Sequence, residues 1–466
     1  MELQRIVQTK KTKHNSLEMG ALKTFVLGGI HPAENKLSAN KPIERLAISK
    51  QAIIPLGQNL GAPSKPIVKK GDKVKVGQLI AEAGGFISAN IHSPVSGTVL
   101  KVDNVIDTSG YKKPGIVITV EGDEWDEKID RSDKLISEIT LTSEEIIKKI
   151  QDSGIVGMGG ATFPTFVKLS VPQGKKAEYL IINGVECEPF LTSDYRLMLE
   201  KSKEILVGTQ LLMKALKVEK AIIGIENNKA DAIKLFKELT RSLPAIEVVT
   251  LKVQYPQGGE KQLIKAVVNR EVPSGKLPIE VGCVVQNVGT AFAVYEAVQK
   301  NKPLFERVVT VTGKAVKKPS NFLVRIGTPI QELVEAAEGM LENTSKIISG
   351  GPMMGKALTS LEVPVVKGSS GILLMKTEEA SRKLESPCIR CSKCTYACPM
   401  GLEPFYLARV SRIGKFDLAE KEKVMDCIEC GSCQFTCPAN IPLLDYLRLG
   451  KSKVASIMRK RTKHQQ

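Results

Sequence analysis

Cys388-Ile-Arg-Cys391-Ser-Lys-Cys394-Thr-Tyr-Ala-Cys398-Pro399 and Cys427-Ile-Glu-Cys430-Gly-Ser-Cys433-Gln-Phe-Thr-Cys437-Pro438 put eight of the ten cysteines into two copies of one pattern. In such runs three thiolates in a short loop cap one face of an iron–sulfur cubane, and the fourth, just before a proline, reaches the neighbouring cluster. The pattern predicts two 4Fe–4S clusters with crossed ligation. Cys388, Cys391 and Cys394 are expected with Cys437, and Cys427, Cys430 and Cys433 with Cys398. Zinc prefers two spaced pairs, and disulfides are disfavoured in a reducing compartment, so both fit this spacing less well. Helix-favouring stretches between the runs, Leu407-Ala-Arg409 and Leu418 to Val424, predict an α-helical ferredoxin-like domain over 376–466. The two remaining cysteines, Cys187 and Cys283, stand alone and read as small buried hydrophobes.

Upstream of this region the chain is long enough for several hydrophobic cores. Hydrophobic residues make up 42% and charged residues 25%, the balance of a soluble globular protein. No apolar run approaches the roughly 18 residues of a membrane span, and Met1 to His14 is polar and basic without an apolar signal core. A cytosolic chain is expected. Sixty-seven Lys and Arg against 50 Asp and Glu give a net charge of +17, which suits an anionic partner. Aromatic residues are only 5%, Trp125 is the one tryptophan, and no recognition motif is present, so nucleic acid is not expected as a partner. The basic tail, Lys451-Ser-Lys453 and Arg459 to Lys463, suits an anionic membrane face or simple solvation.

Residues 1–135 are punctuated by Pro and Gly between short Val/Ile/Leu runs, the mark of small sheets joined by turns. Val68 to Gly77 and Ile91 to Gly97 resemble the biotinyl and lipoyl carrier fold, a barrel-sandwich hybrid. A carrier needs a lysine at its hairpin tip, and Gly84 to Asn90 has none, so this module reads as structural. Over 136–300, Thr142-Ser-Glu-Glu145 opens a helix with a capping box. Strands at 179–182, 221–225 and 246–253 alternate with helices at 203–216 and 229–241, which predicts a parallel, Rossmann-like sheet. Over 301–375, a strand at Val308 to Thr312, a turn at Lys317 to Asn321 and a short helix after Pro329 predict a small β-grasp domain.

Four pieces of the middle domain fall at or near strand ends, where open α/β sheets bind ligands. They are Gly157-Met-Gly159-Gly160, Asn183-Gly-Val-Glu186-Cys-Glu188-Pro189, Tyr255-Pro-Gln-Gly258-Gly259-Glu260 and Gln286-Asn287. Glycines there let backbone amides approach a phosphate. Ordinary turn punctuation is the competing reading of each piece taken alone.

Together these motifs resemble the flavin-binding subunit of respiratory complex I. The resemblance implies that Gly157, Gly159, Gly160, Lys168, Asn183, Glu186, Gly258, Glu260 and Asn287 hold FMN, with Phe163 and Glu188 facing NADH. The chain departs from that pattern at Met158, Val185 and Gly259, which bears on nicotinamide affinity more than on flavin binding. Phe25-Val-Leu-Gly-Gly-Ile-His31-Pro32, the lysine-free module, the flavin motifs, the β-grasp (SLBB-like) segment and the double cysteine run extend the match over nearly the whole chain. In that order they resemble the C subunits of Rnf ion-translocating electron-transport complexes. This implies a multidomain α/β protein on the cytoplasmic face of the cell membrane, passing electrons between NADH and ferredoxin through FMN and two 4Fe–4S clusters. Membrane-embedded and other subunits of the complex would be its partners. No acid–base machinery is expected, since none of His14, His31, His92 and His464 falls in the motifs. Two other readings remain at this point: a soluble cobalamin reductase built of the same modules, and an iron–sulfur relay that binds no nucleotide.

Overall fold

A computed structural model describes residues 22–464, so the basic segment Met1 to His14 lies outside the described residues. Helix α1 (Ser143–Asp152) starts at the expected capping box: Glu145 N donates to Thr142 Oγ1, and Thr142 N donates to Glu145 Oε2 at 2.7 Å. After α2 (Thr165–Leu169), the β-branched runs Tyr179–Asn183, Lys220–Glu226 and Ile246–Leu251 form parallel strands, as their sequence predicts. A fourth strand, Cys283–Asn287, pairs in parallel with Tyr179–Asn183, giving the spatial order third, second, first, fourth. Helices α3 (Ser193–Glu200), α4 (Ser202–Leu216), α5 (Ala230–Leu239), α6 (Glu260–Val268) and α7 (Val288–Gln299) cover the sheet. Its two faces are buried separately, one with Leu180, Ile182 and Ile223 beneath α4 and α7, the other with Ile181 and Val285 beneath Leu263 of α6.

The N-terminal module is the expected pair of facing sheets. Gln51–Pro55, Lys112–Val120, Gly97–Ile106 and Lys73–Val74 form one, and Lys65–Pro66, Leu79–Glu82 and Ile91–His92 the other. Ile54, Ile80, Val99, Ile116 and Ile118 fill the space between them. The β-grasp unit has strands Glu306–Thr312 and Ser320–Arg325 and helix Ile330–Ala336, with Val309, Phe322 and Leu333 in its core. In the C-terminal domain, helix Pro404–Arg412 packs on Leu443–His464 through Leu407, Val410, Leu447 and Val454. Two basic residues of that last helix are held in place: Arg461 pairs with Glu420 at 2.8 Å, and Lys451 donates to the carbonyl of Cys427 at 2.6 Å.

One segment departs from the domain order written in the sequence. Residues 23–45 do not stay with the N-terminal module but lace across the others. Lys23 bridges to Leu251, Ile30 pairs with Tyr255, and Ile43–Arg45 adds a parallel strand to the β-grasp sheet beside Asn321 to Leu323. Two buried cations tie the domains further. Lys367 donates to the carbonyls of Asn90 and Gly154, and Arg307 donates to that of Lys367. Among the described residues no helix is long and apolar enough to cross a membrane.

Candidate flavin cleft and cluster sites

The carboxyl ends of the parallel strands open onto one cleft, and most of the motif residues converge there. Gly159 and Gly160 are exposed on its rim, with Gly160 at φ +120° and nothing within 4 Å of where a Cβ would stand. A Cβ on Gly159 would touch Asn287, which caps α7 by accepting from Gly289 N at 2.8 Å. Asn183 Nδ2 donates to the carbonyl of Gly258 at 2.9 Å, joining the ends of the first and third strands. Lys168 lies half-buried between Glu260, at 2.7 Å, and the carbonyl of Val285. Glu186 caps α3, accepting from Asp194 N at 2.8 Å and Tyr195 N at 3.1 Å. A glycine loop with Gly160 free of steric cover, a lysine and two helix N-termini make a cradle that suits a phosphate-bearing planar group.

Two motif residues behave differently from the rest. Phe163 shapes the glycine loop through its backbone, its carbonyl accepting from Gly157 N at 2.8 Å. Glu188 turns toward the β-grasp unit, where its carboxylate accepts from the amides of Met354 at 2.7 Å and Met353 at 3.2 Å. Burial outweighs those amides and pushes the Glu188 carboxyl up to about 7.

Several residues that hold the cleft carried no sequence signal. Lys36, from the lacing segment, donates to the carbonyls of Glu186, Glu188 and Leu191 at 2.9, 2.9 and 2.7 Å. Lys229 donates to the carbonyl of Val185 at 2.7 Å beside buried Glu226. These two ammonium groups fix the Asn183–Leu191 turn. Burial lowers the Lys36 ammonium from its ordinary value, against the pull of Glu186. A lysine five residues after a histidine has no helical or strand period that would point to this role.

The cysteines separate into two quartets around two cavities. Cys388, Cys391, Cys394 and Cys437 line an open cavity of about 930 Å³ with Arg390, Arg409 and Arg412. Cys398, Cys427, Cys430 and Cys433 line a small closed one. Among the described residues, no three His, Cys, Asp or Glu side chains converge as ligands of a single ion do. Each quartet surrounds a volume, which suits a cubane. Burial raises the thiols of Cys394, Cys398, Cys427 and Cys433, that of Cys427 to about 11. Their thiolate forms therefore need positive charge nearby, which iron supplies.

The closed quartet docks on the flavin domain. Tyr255, only 2% exposed, donates its hydroxyl to the carbonyl of Cys430 at 2.8 Å. Gln262 of α6 donates to Pro399 O at 3.2 Å, and Gly29 N donates to Ala397 O at 3.1 Å. Ile30, Tyr255, Ala397 and Cys430 share one apolar contact with Cys187. Gly28, at φ +70°, leaves room for the Cys398 carbonyl, which a Cβ would meet at about 2.6 Å. The open quartet faces away, with Cys388 and Cys391 exposed.

Cleft, closed quartet and open quartet in series define an electron-transfer protein of the flavin and iron–sulfur class. Comparison with known proteins agrees domain by domain. Family models match over residues 24–123 (RnfC barrel sandwich hybrid domain), 150–296 (Nuo51 FMN-binding domain), 308–357 (SLBB domain) and 381–438 (4Fe-4S dicluster domain). The C subunit of the proton-translocating ferredoxin:NAD(+) oxidoreductase complex of Clostridium ljungdahlii is 48% identical, over 93% of this chain and 94% of that protein. Its Na(+)-translocating counterpart in Acetobacterium woodii is 43% identical, over 93% and 98%. The C subunit of the ion-translocating oxidoreductase complex of Rhodobacter capsulatus is 42% identical, over 94% and 85%. At this identity and coverage, the chain belongs to the family of C subunits of ion-translocating ferredoxin:NAD+ oxidoreductase complexes. It is thus one component of a membrane-associated assembly.

Proposed function

We propose that this chain passes electrons between NADH and the ferredoxin-linked partners of its complex, through FMN in the strand-end cleft, then the closed quartet, then the open one. The observation that carries this order is the docking of the closed quartet on Tyr255, Gln262 and Gly29, against the outward exposure of Cys388 and Cys391. Bound flavin would supply the exchange between two-electron nicotinamide and one-electron clusters.

The chain's own groups do the rest. Gly157, Gly159 and Gly160 would let the flavin approach the backbone. Lys168, fixed by Glu260, would help hold the phosphate. Asn183, Glu186, Gly258 and Asn287 tie the strand ends into a rigid frame, so little reorganises as electrons move. Phe163 and Glu188 border the side open to nicotinamide; Glu188, held on the β-grasp amides, would act there through the position of its turn. In the clusters, Cys388, Cys391, Cys394 and Cys437 hold the outer iron–sulfur group, and Cys398, Cys427, Cys430 and Cys433 the inner one. The cytoplasmic face of the membrane is the proposed location, where NADH is available.

Anaerobic reconstitution with iron, sulfide and FMN, followed by NADH titration, tests this reading. Bleaching of both flavin and cluster absorbance is expected. Cluster absorbance without flavin retention or response to NADH would leave an iron–sulfur relay instead.

A further inference from the structure

One carboxyl in the cleft has no part in the scheme above. Asp194 lies in the first turn of α3, half-buried, with Oδ2 accepting from Asn287 Nδ2 at 2.6 Å. No hydrogen bond among the described residues reaches its Oδ1. Beside it lies the Glu186 carboxylate, which takes hydrogen bonds from Asp194 N, Tyr195 N and Ser193 Oγ at the helix N-terminus.

The cations that face this pair from other elements are engaged elsewhere, Lys36 of the lacing segment on the carbonyls of Glu186, Glu188 and Leu191. Arg307, on strand Glu306–Thr312, donates to the carbonyls of Lys367 and Met158. Lys229, beside α5, donates to the carbonyl of Val185 and to Asn228. Neither forms an ion pair with Asp194. Two half-buried carboxyls thus lie side by side at the start of α3 without a cation paired to Asp194, an arrangement that favours one bound proton. Burial first and Glu186 second push Asp194 up to about 7, against the Asn287 hydrogen bond and the fields of Arg307 and Lys229.

The electron path leaves a proton to place. NADH gives up two electrons and one proton as it becomes NAD+, and the clusters accept the electrons alone. We propose that Asp194 holds this proton: a bond to hydrogen breaks at the flavin, an O–H bond forms on the Asp194 carboxylate, and Oδ1 then releases the proton to water. In the opposite direction Asp194 supplies it. The idea rests on FMN occupying the cleft.

Redox-difference infrared spectroscopy of the FMN-loaded chain, carboxyl-labelled at aspartate with carbon-13 and reduced by light, tests it without NADH. A label-sensitive band of a protonated carboxyl should appear on oxidation and be absent in Asp194→Asn. Oxidation of the flavin by the clusters should slow about tenfold or more in that variant, while Asp194→Glu stays within about threefold of the parent. Persistence of the band in Asp194→Asn, or an unchanged rate, would overturn the proposal. If Asp194→Asn loses its flavin, pH-difference spectra of the flavin-free parent chain decide: an aspartate titrating near neutrality supports the proposal, and none there refutes it. Failure of NADH to bleach the flavin would sink the proposed function and leave this test standing.

Discussion

The two cysteine quartets come from the same spacing yet sit in opposite surroundings. The quartet of Cys398, Cys427, Cys430 and Cys433 is closed, docked on the flavin domain and braced by a tyrosine, a glutamine and a glycine amide. That of Cys388, Cys391, Cys394 and Cys437 opens to solvent among arginines. Ligand spacing therefore decides what is bound, and the neighbouring domain decides what the bound group can do. Exposure and nearby hydrogen bonds set cluster potential and access.

The largest break in this comparison is Cys430→Ala. Removing an inner ligand next to Tyr255 should abolish the inner cluster and, with it, reduction of the outer cluster by NADH. Electron paramagnetic resonance of the NADH-treated protein checks this; an outer signal of normal intensity would mean that the inner site is not on the path. A gentler contrast uses a chelator. Iron should leave the open quartet before the closed one, followed by absorbance and by the same resonance signals. Simultaneous loss would deny the difference in access.

Gly28→Ala strikes the dock rather than the ligands. The added carbon meets the Cys398 carbonyl in a left-handed backbone conformation, at an expected cost of about 1–3 kcal/mol. Slower transfer into the inner cluster, with flavin content unchanged, is the expected readout. Tyr255→Phe removes one hydrogen bond, worth about 1 kcal/mol, and should shift the inner cluster's midpoint potential while the outer one stays put.

The smallest effect is on pH dependence. The Glu188 carboxyl is raised from its ordinary 4.5 to about 7 by burial. The folded state thus binds its proton more tightly than the unfolded one, so the stability it adds is full below about pH 4.5 and is lost as pH rises through about 7. Glu188→Gln should flatten that part of the thermal-stability profile. A profile unchanged by the substitution would remove Glu188 from the contact between cleft and β-grasp unit.

Local pattern made much of this readable. The cysteine runs announce the 4Fe–4S dicluster domain through their spacing, the β-branched runs mark the three parallel strands, and the capping box at Thr142 starts α1 where expected. Only the end of strand Cys283–Asn287 was legible, at Gln286-Asn287, because its apolar part is just Cys283-Val-Val285 and so short a run has no period of its own. The lacing of residues 23–45 was illegible for another reason: its contacts with Leu251, Tyr255 and Asn321 join positions hundreds of residues apart. Lys36 and Lys229 look like surface charges in sequence, and only the folded turn supplies the carbonyls that bury them. Glu188 shows the limit of a motif, since its place in the pattern is kept while its carboxylate faces the β-grasp loop.

The order flavin, inner cluster, outer cluster is open to one decisive trial. In Cys391→Ala, rapid mixing with NADH followed by freeze-quench resonance should show the flavin bleaching and the inner cluster reducing at the parent's rate, with the outer signal missing. An inner cluster that stays oxidised in that variant, while the flavin is bleached, would reverse the assignment and make the exposed quartet the first acceptor.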